Sequence, residues 1–167
     1  MRELVERIDV DATPEQVWAA LTDWPRQGEW MLATDVETVD GPAQGLHGRL
    51  AARTGIPLPG GRHVGLLDTM IITKWEPPRL IEVQHTGRIV RGPGIFQIEP
   101  RGEHATFVWT ERLWLPYGLL GQAGWFLSKP FVVWGIRRSL RRFAEFARRH
   151  RAGRAPRRPP PRRGRPS

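Results

Sequence analysis

Between Thr34 and about Leu115, strand follows strand across turns too short to hold a helix, and that succession constrains the fold more than any other feature of the chain. Val36-Glu37-Thr38-Val39 stops at Asp40-Gly41-Pro42, His47 to Arg53 alternates, and Gly60-Gly61 marks a turn. Leu66 to Trp75, rich in Ile, Thr and Leu, ends at Glu76-Pro77-Pro78. Leu80 to Thr86, Ile95 to Glu99 and Ala105 to Leu115 follow, separated by Gly87, Gly92-Pro93-Gly94 and Arg101-Gly102. Parallel neighbours need a crossover of roughly a dozen residues or more, and none fits here. The spacing therefore predicts one antiparallel meander of about six to seven strands.

Helical patterns flank the meander. Glu3 to Val10 predicts a strand with Leu4, Ile8 and Val10 on one face. Thr13 then stands as an N-cap, Pro14 takes the first helical position, and Gln16 completes a capping box. Val17, Trp18 and Leu21 give this short helix its buried face, and Trp24 to Met31 forms a second brief helical or irregular segment limited by Pro25 and Gly28. After Pro116 the period changes. Val132 or Val133, Ile136, Leu140, Phe143 and Ala147 step by three and four, with Arg137, Arg138, Arg141, Arg142 and Glu145 facing elsewhere, as in an amphipathic closing helix that Pro130 kinks or divides. Gly118 to Ile136 carries one charge, Lys129, ahead of an arginine cluster, which imitates a membrane span with a positive flank. Gln122, Ser128, Lys129, Pro130 and four glycines oppose that reading, and the stripe continues beyond its end. A buried or interface-seeking helix fits better, and no transmembrane span is expected.

The charge balance locates its own excess. The chain has 167 residues and 26 Lys+Arg against 17 Asp+Glu. Nine of the arginines lie in residues 148–167 without one acid, which leaves residues 1–147 with equal numbers of bases and acids. The length suits one domain, residues 1–147, and the Arg/Pro-rich remainder, 148–167, is expected to be disordered. Such a tail offers weak adhesion to anionic surfaces. It carries no aromatic residue for base stacking, so no specific nucleic-acid partner is expected. The absence of cysteine removes disulfides, thiol catalysis and Cys-based metal sites. The charged N-terminus, Met1-Arg2-Glu3-Leu4-Val5-Glu6, does not suit a signal peptide and points to the cytoplasm.

The order strand, helix pair, antiparallel sheet, long closing helix resembles the START-like (Bet v 1-like, helix-grip) superfamily, and within it the bacterial polyketide cyclase/dehydrase type called SRPBCC. The resemblance rests on Val10-Asp11-Ala12-Thr13-Pro14-Glu15-Gln16-Val17-Trp18, on Trp24 to Trp30, and on Trp75-Glu76-Pro77-Pro78-Arg79. His85 to Phe96, Trp109 and the Ser139-Leu140 helix complete it. It covers residues 3 to 147 and implies an α+β fold in which a curved sheet grips the final helix around an apolar cavity. Family members use that cavity for lipids, sterols, polyketides or other hydrophobic molecules, and a minority do chemistry there. No catalytic set is shared across the superfamily, so none is carried over.

Few residues could carry chemistry. Ser128, Ser139 and Ser167 are the only serines and none sits in a nucleophile elbow. Arg91-Gly92-Pro93-Gly94 lacks the helix and Lys-Ser/Thr of a phosphate loop, and His47, His63, His85, His104 and His150 show no metal-ligand spacing, so no metal or cofactor is expected. Strand alternation is more informative. His85 shares a face with Ile81 and Val83, Glu111 with Phe107, Trp109 and Leu113, and Asp68 with Met70 and Ile72. If these are the inward faces, three ionisable groups look into a low-dielectric space, where desolvation raises the carboxylate pKa values and lowers that of His85. Asp68 faces outward instead if Leu67, Thr69 and Ile71 form the inner row, and Glu111 could pair simply with Arg88 or Arg91. By the resemblance, Trp109, Trp125 and Trp134, with Phe96, Phe126 and Met70, fall where the family cavity would lie. Trp30, Asp68, Met70, Val83, His85, Phe96, Trp109, Glu111, Phe126 and Trp134 are the expected ligand-binding set, with His85, Glu111 and Asp68 as catalytic candidates. The expected function is binding of a small hydrophobic or amphipathic ligand. The alternatives are a polyketide cyclase or dehydratase in the same cavity, and membrane or nucleic-acid association through the tail.

Overall fold

A computed structural model of the chain describes residues 1–58, 62–87, 90–114 and 118–150. The Gly60-Gly61 turn, Arg88 and the arginine-rich segment from residue 151 onward lie outside the described residues. The elements run β1 (Arg2–Val10), α1 (Pro14–Leu21), a 3₁₀ stretch (Trp24–Glu29), β2 (Thr34–Asp40), β3 (Arg49–Leu58), β4 (Arg62–Glu76), β5 (Leu80–His85), β6 (Gly92–Arg101), β7 (His104–Leu113) and α2 (Gly118–Arg149). The seven strands form one antiparallel sheet in the order β1-β7-β6-β5-β4-β3-β2. The meander is thus continuous from β2 to β7, and β1 joins it at the β7 edge.

Local chemistry sets the entry to α1. The Thr13 side chain accepts from the Gln16 amide at 3.3 Å, and the Gln16 side chain accepts from the Thr13 amide at 3.0 Å. Two of the otherwise unpaired donors at the helix start are satisfied by this exchange. Val17, Ala20 and Leu21 then face the core. Trp18 meets Trp75 edge to face at 4.9 Å.

Two expectations are corrected. Gly92-Pro93-Gly94 is not a turn but the opening of β6. Gly92 has φ +118°, and a Cβ there would stand 1.8 Å from the Arg112 carbonyl oxygen, so close backbone approach rather than chain reversal demands the glycine. Of the two alternatives for Pro130, a kink or a division of the last helix, the division is overturned, because α2 is a single element with Pro130 inside it. The helix also continues past Ala147, where the sequence places the domain boundary, and buried His150 lies 2.9 Å from the Asp23 carboxylate.

The C-terminal half of α2 closes the core. Phe143 is fully buried, 4.7 Å from the Phe107 ring of β7 and 4.8 Å from the Trp30 ring. The Leu32 amide donates to Ser139 Oγ at 3.0 Å, tying the helix to the segment ahead of β2. Arg137 pairs with Glu6 of β1 at 2.8 Å. The other half of the helix spans the sheet without filling the space beneath it.

Candidate functional site

That space is a cavity of about 620 Å³. Its sheet wall is made by alternate residues: Leu50 and Ala52 of β3, Leu66, Asp68 and Met70 of β4, Val83 and His85 of β5, Phe96 of β6, and Trp109, Glu111 and Leu113 of β7. Period-2 geometry requires such rows, since residues two apart share a face. The helical wall comes from Trp125, Ser128, Val132, Gly135, Ile136 and Ser139, spaced at three and four along α2. Trp24, Trp30 and Met31 close the inner end. Exposed Arg91 and Trp114 stand at the outer edge.

Three ionisable side chains meet in this apolar wall. His85 Nδ1 lies 2.6 Å from Asp68 Oδ2, and His85 Nε2 lies 3.1 Å from Glu111 Oε2. Their side chains are only 7%, 13% and 12% exposed, in the order His85, Asp68 and Glu111. Trp109 Nε1 donates to Glu111 Oε1 at 2.7 Å, which spends the second oxygen of that carboxylate. The cluster spans four strands, and β6 crosses between His85 and Glu111. Gly94 occupies that crossing: a Cβ there would sit 3.0 Å from His85 Nε2 and 3.3 Å from Glu111 Oε1. A side chain at that position would crowd the bond that a glycine leaves open.

Burial is the largest influence on His85 and opposes its charge, yet the hydrogen bonds and charges of Asp68 and Glu111 together outweigh it and raise its pKa to about 10. The sequence-based expectation of a lowered value is therefore overturned. Desolvation acts as foreseen, but the two facing carboxylates reverse the outcome. His85 is an imidazolium near neutral pH, and both of its N–H groups are committed to carboxylates. It has no lone pair to offer as a base. Asp68 Oδ1 is different, being buried and without a hydrogen-bond partner among the described residues. Trp30 Nε1 is likewise buried and unpartnered. The alternative pairing of Glu111 with Arg91 is not formed; the Arg91 Nε–H donates to the Gly87 carbonyl.

The model for the family described as polyketide cyclase / dehydrase and lipid transport matches residues 1–148. The chain belongs to this family. Solved structures give the same fold at low identity. TTHA0849 from Thermus thermophilus is similar at TM-score 0.68 and 18% identity, covering 87% of this chain and 97% of that one. Zhui aromatase/cyclase from Streptomyces sp. R1128 is similar at TM-score 0.67 and 17% identity, covering 89% and 94%. A conserved protein from Geobacillus kaustophilus is similar at TM-score 0.67 and 16% identity, covering 90% and 98%. No curated protein matches the chain.

Within this family member, eight of the ten expected ligand-binding residues line the cavity: Trp30, Asp68, Met70, Val83, His85, Phe96, Trp109 and Glu111. Asp68 faces inward with Met70, and Leu67 is exposed, which settles the row that the sequence left open. Phe126 and Trp134 do not line it; both are exposed on the opposite face of α2. Trp125, also expected at the cavity, does line it, and Ser128 and Val132 join it there. The signal for these was present, because counting back from Ile136 by four and then by three or four reaches Val132, Ser128 and Trp125. Leu50 and Ala52 were legible as one row of alternating β3. Among the described residues no cluster of His, Asp or Glu is arranged to hold a metal ion, and no helix is long and apolar enough to cross a membrane.

Proposed function

We propose that the protein binds a small hydrophobic or amphipathic molecule between the sheet and α2, with the ligand's polar end at the Asp68–His85–Glu111 cluster. The observation that carries this reading is a largely apolar cavity of about 620 Å³ in whose wall three ionisable side chains are joined in one cluster. Apolar contact supplies most of the affinity, at roughly 25 cal/mol per Å² removed from water.

The cluster also sets what the polar end should be. His85 counts one positive charge against two carboxylates, so the patch is net negative when both are ionised. Its donors are already spent, and the open valence is an acceptor, Asp68 Oδ1. A hydroxyl, phenol or amine is matched to that atom, whereas a carboxylate is repelled. A carbonyl or ether oxygen elsewhere on the ligand is matched to the unpartnered Trp30 Nε1. Three probes of equal chain length separate these cases: dodecanol, dodecylamine and dodecanoate, titrated calorimetrically. Dodecanol and dodecylamine are expected to bind at least tenfold more tightly than dodecanoate, with the preference reduced in Asp68→Asn. Failure of all three to bind would remove the binding reading. Tightest binding by dodecanoate would remove the assignment of the polar patch.

A second reading, a cyclase or dehydratase, draws support from the same atom. In that reading Asp68, whose Oδ1 has no hydrogen-bond partner among the described residues, takes a proton from a carbon beside a ligand carbonyl, and the carbonyl becomes an enolate. Turnover of a polyketide-like substrate that is lost in Asp68→Asn while binding persists would favour it.

A further inference from the structure

α2 has two faces of opposite use. At about 100° per residue, Trp125, Ser128, Val132, Gly135, Ile136, Ser139 and Phe143 fall on one arc, which is the arc that faces the cavity and core. The complementary arc changes character along its length. Its N-terminal half presents Phe126, Leu127, Phe131 and Trp134, which are 79%, 71%, 76% and 55% exposed. Its C-terminal half presents exposed Arg141 and Arg142, with half-buried Arg138 beside them and Arg137 held by Glu6. The boundary is marked by Trp134, with the Arg138 guanidinium 5.9 Å from its ring centre. From Arg112 to Ala144 the sequence has six basic residues and no acid.

Large side chains this exposed, contiguous along two helical turns, are uncommon on the surface of a monomeric protein. The occupant must be apolar where Phe126, Leu127 and Phe131 meet it and negative where the arginines do. A bilayer with anionic headgroups has that layering, and a tryptophan at the boundary suits the headgroup level. We propose that the outward face of α2 docks on an anionic membrane surface, with Phe126, Leu127 and Phe131 inserted among the acyl chains and Arg141 and Arg142 on the phosphates. The chain does not span the bilayer in this arrangement. The inward sides of the same turns line the cavity, and exposed Trp114 joins its outer edge. Docking therefore brings the cavity opening to the lipid, where a hydrophobic ligand can pass without crossing water. That last step rests on the ligand-binding reading; the docking itself does not.

The test is cosedimentation of the full-length protein with vesicles of phosphatidylcholine alone or mixed equally with phosphatidylglycerol. Binding is expected to the mixed vesicles and to be at least tenfold weaker on phosphatidylcholine alone. The double variant Phe126→Ser/Phe131→Ser retains every arginine and is expected to lose at least tenfold of the binding to mixed vesicles. Its melting temperature should match the parent, and Trp134→Ser serves as a second, independent probe of the face. Equal binding by parent and serine variants would overturn the proposal by assigning adhesion to charge alone, as would failure of the parent to bind. A parent that is dimeric in light scattering, with monomeric serine variants, would overturn it in favour of a second copy of the chain on this face.

Discussion

His85 keeps its proton because two carboxylates surround it, and this makes stability depend on pH in a defined direction. The folded pKa, raised to about 10, lies above the ordinary 6.5. Folding thus favours the protonated form, and the stabilisation is fully present below pH 6.5. It is lost as pH climbs through 10, where the folded protein also gives up the proton. The unfolding free energy in urea is expected to fall by several kcal/mol between these limits, and in His85→Gln this part of the profile should flatten. At pH 7 the same variant is expected to lose about 3–5 kcal/mol, since it leaves Asp68 and Glu111 facing each other without a cation. Alternation in the sequence placed His85 beside Val83, Glu111 beside Trp109 and Asp68 beside Met70, and these pairings hold. It could not supply the partner of His85, which depends on the register of four strands, and so the direction of the pKa shift was read from burial alone. Gly94 was invisible for a related reason: a turn and a close approach both select glycine, and only the paired strands tell them apart.

On the helix α2 the same kind of reasoning succeeds or fails by arc. The stripe Ile136, Leu140 and Phe143 was legible from period alone and is the inward face, and of the two alternatives Val132 and Val133 it is Val132 that lines the cavity. Phe126 and Trp134 were put at the cavity by the family resemblance rather than by the period, and the fold turns them outward. Aromatic character does not say which way a side chain points; the helical repeat does. This predicts a sharp asymmetry in stability along one element. Phe143→Ala removes a fully buried ring packed between Trp30 and Phe107 and is expected to cost about 3–5 kcal/mol. Phe126→Ser, on a side chain mostly in water, should change stability by no more than about 0.5 kcal/mol. Urea denaturation of the two variants checks this directly. Comparable losses in both would mean that the N-terminal half of α2 packs with its other face inward.

At the scale of the molecule, the meander and its closing helix followed from turn spacing and the change of period, whereas the volume left between them did not. A chain of this composition could equally have filled that volume with side chains, and no strand pattern distinguishes a lined cavity from a plugged one. The two arrangements respond oppositely to added bulk. Ala52 of β3 is buried and lines the cavity wall. In a close-packed core, Ala52→Phe would force neighbours out of their rotamers and cost about 1–3 kcal/mol. Against an open cavity the added ring gains apolar contact instead, so the melting temperature of the ligand-free variant is expected to equal or exceed that of the parent. The parent, saturated to a hundredfold above Kd with dodecanol, should gain about 2.7 kcal/mol by mass action. For a domain of this size that is a rise on the order of 6–10 °C in melting temperature. In Ala52→Phe the ring competes for the same space, and the ligand-induced rise should shrink or vanish. A lower melting temperature without ligand, together with an undiminished rise on adding it, would place the bound molecule somewhere other than the space beneath α2.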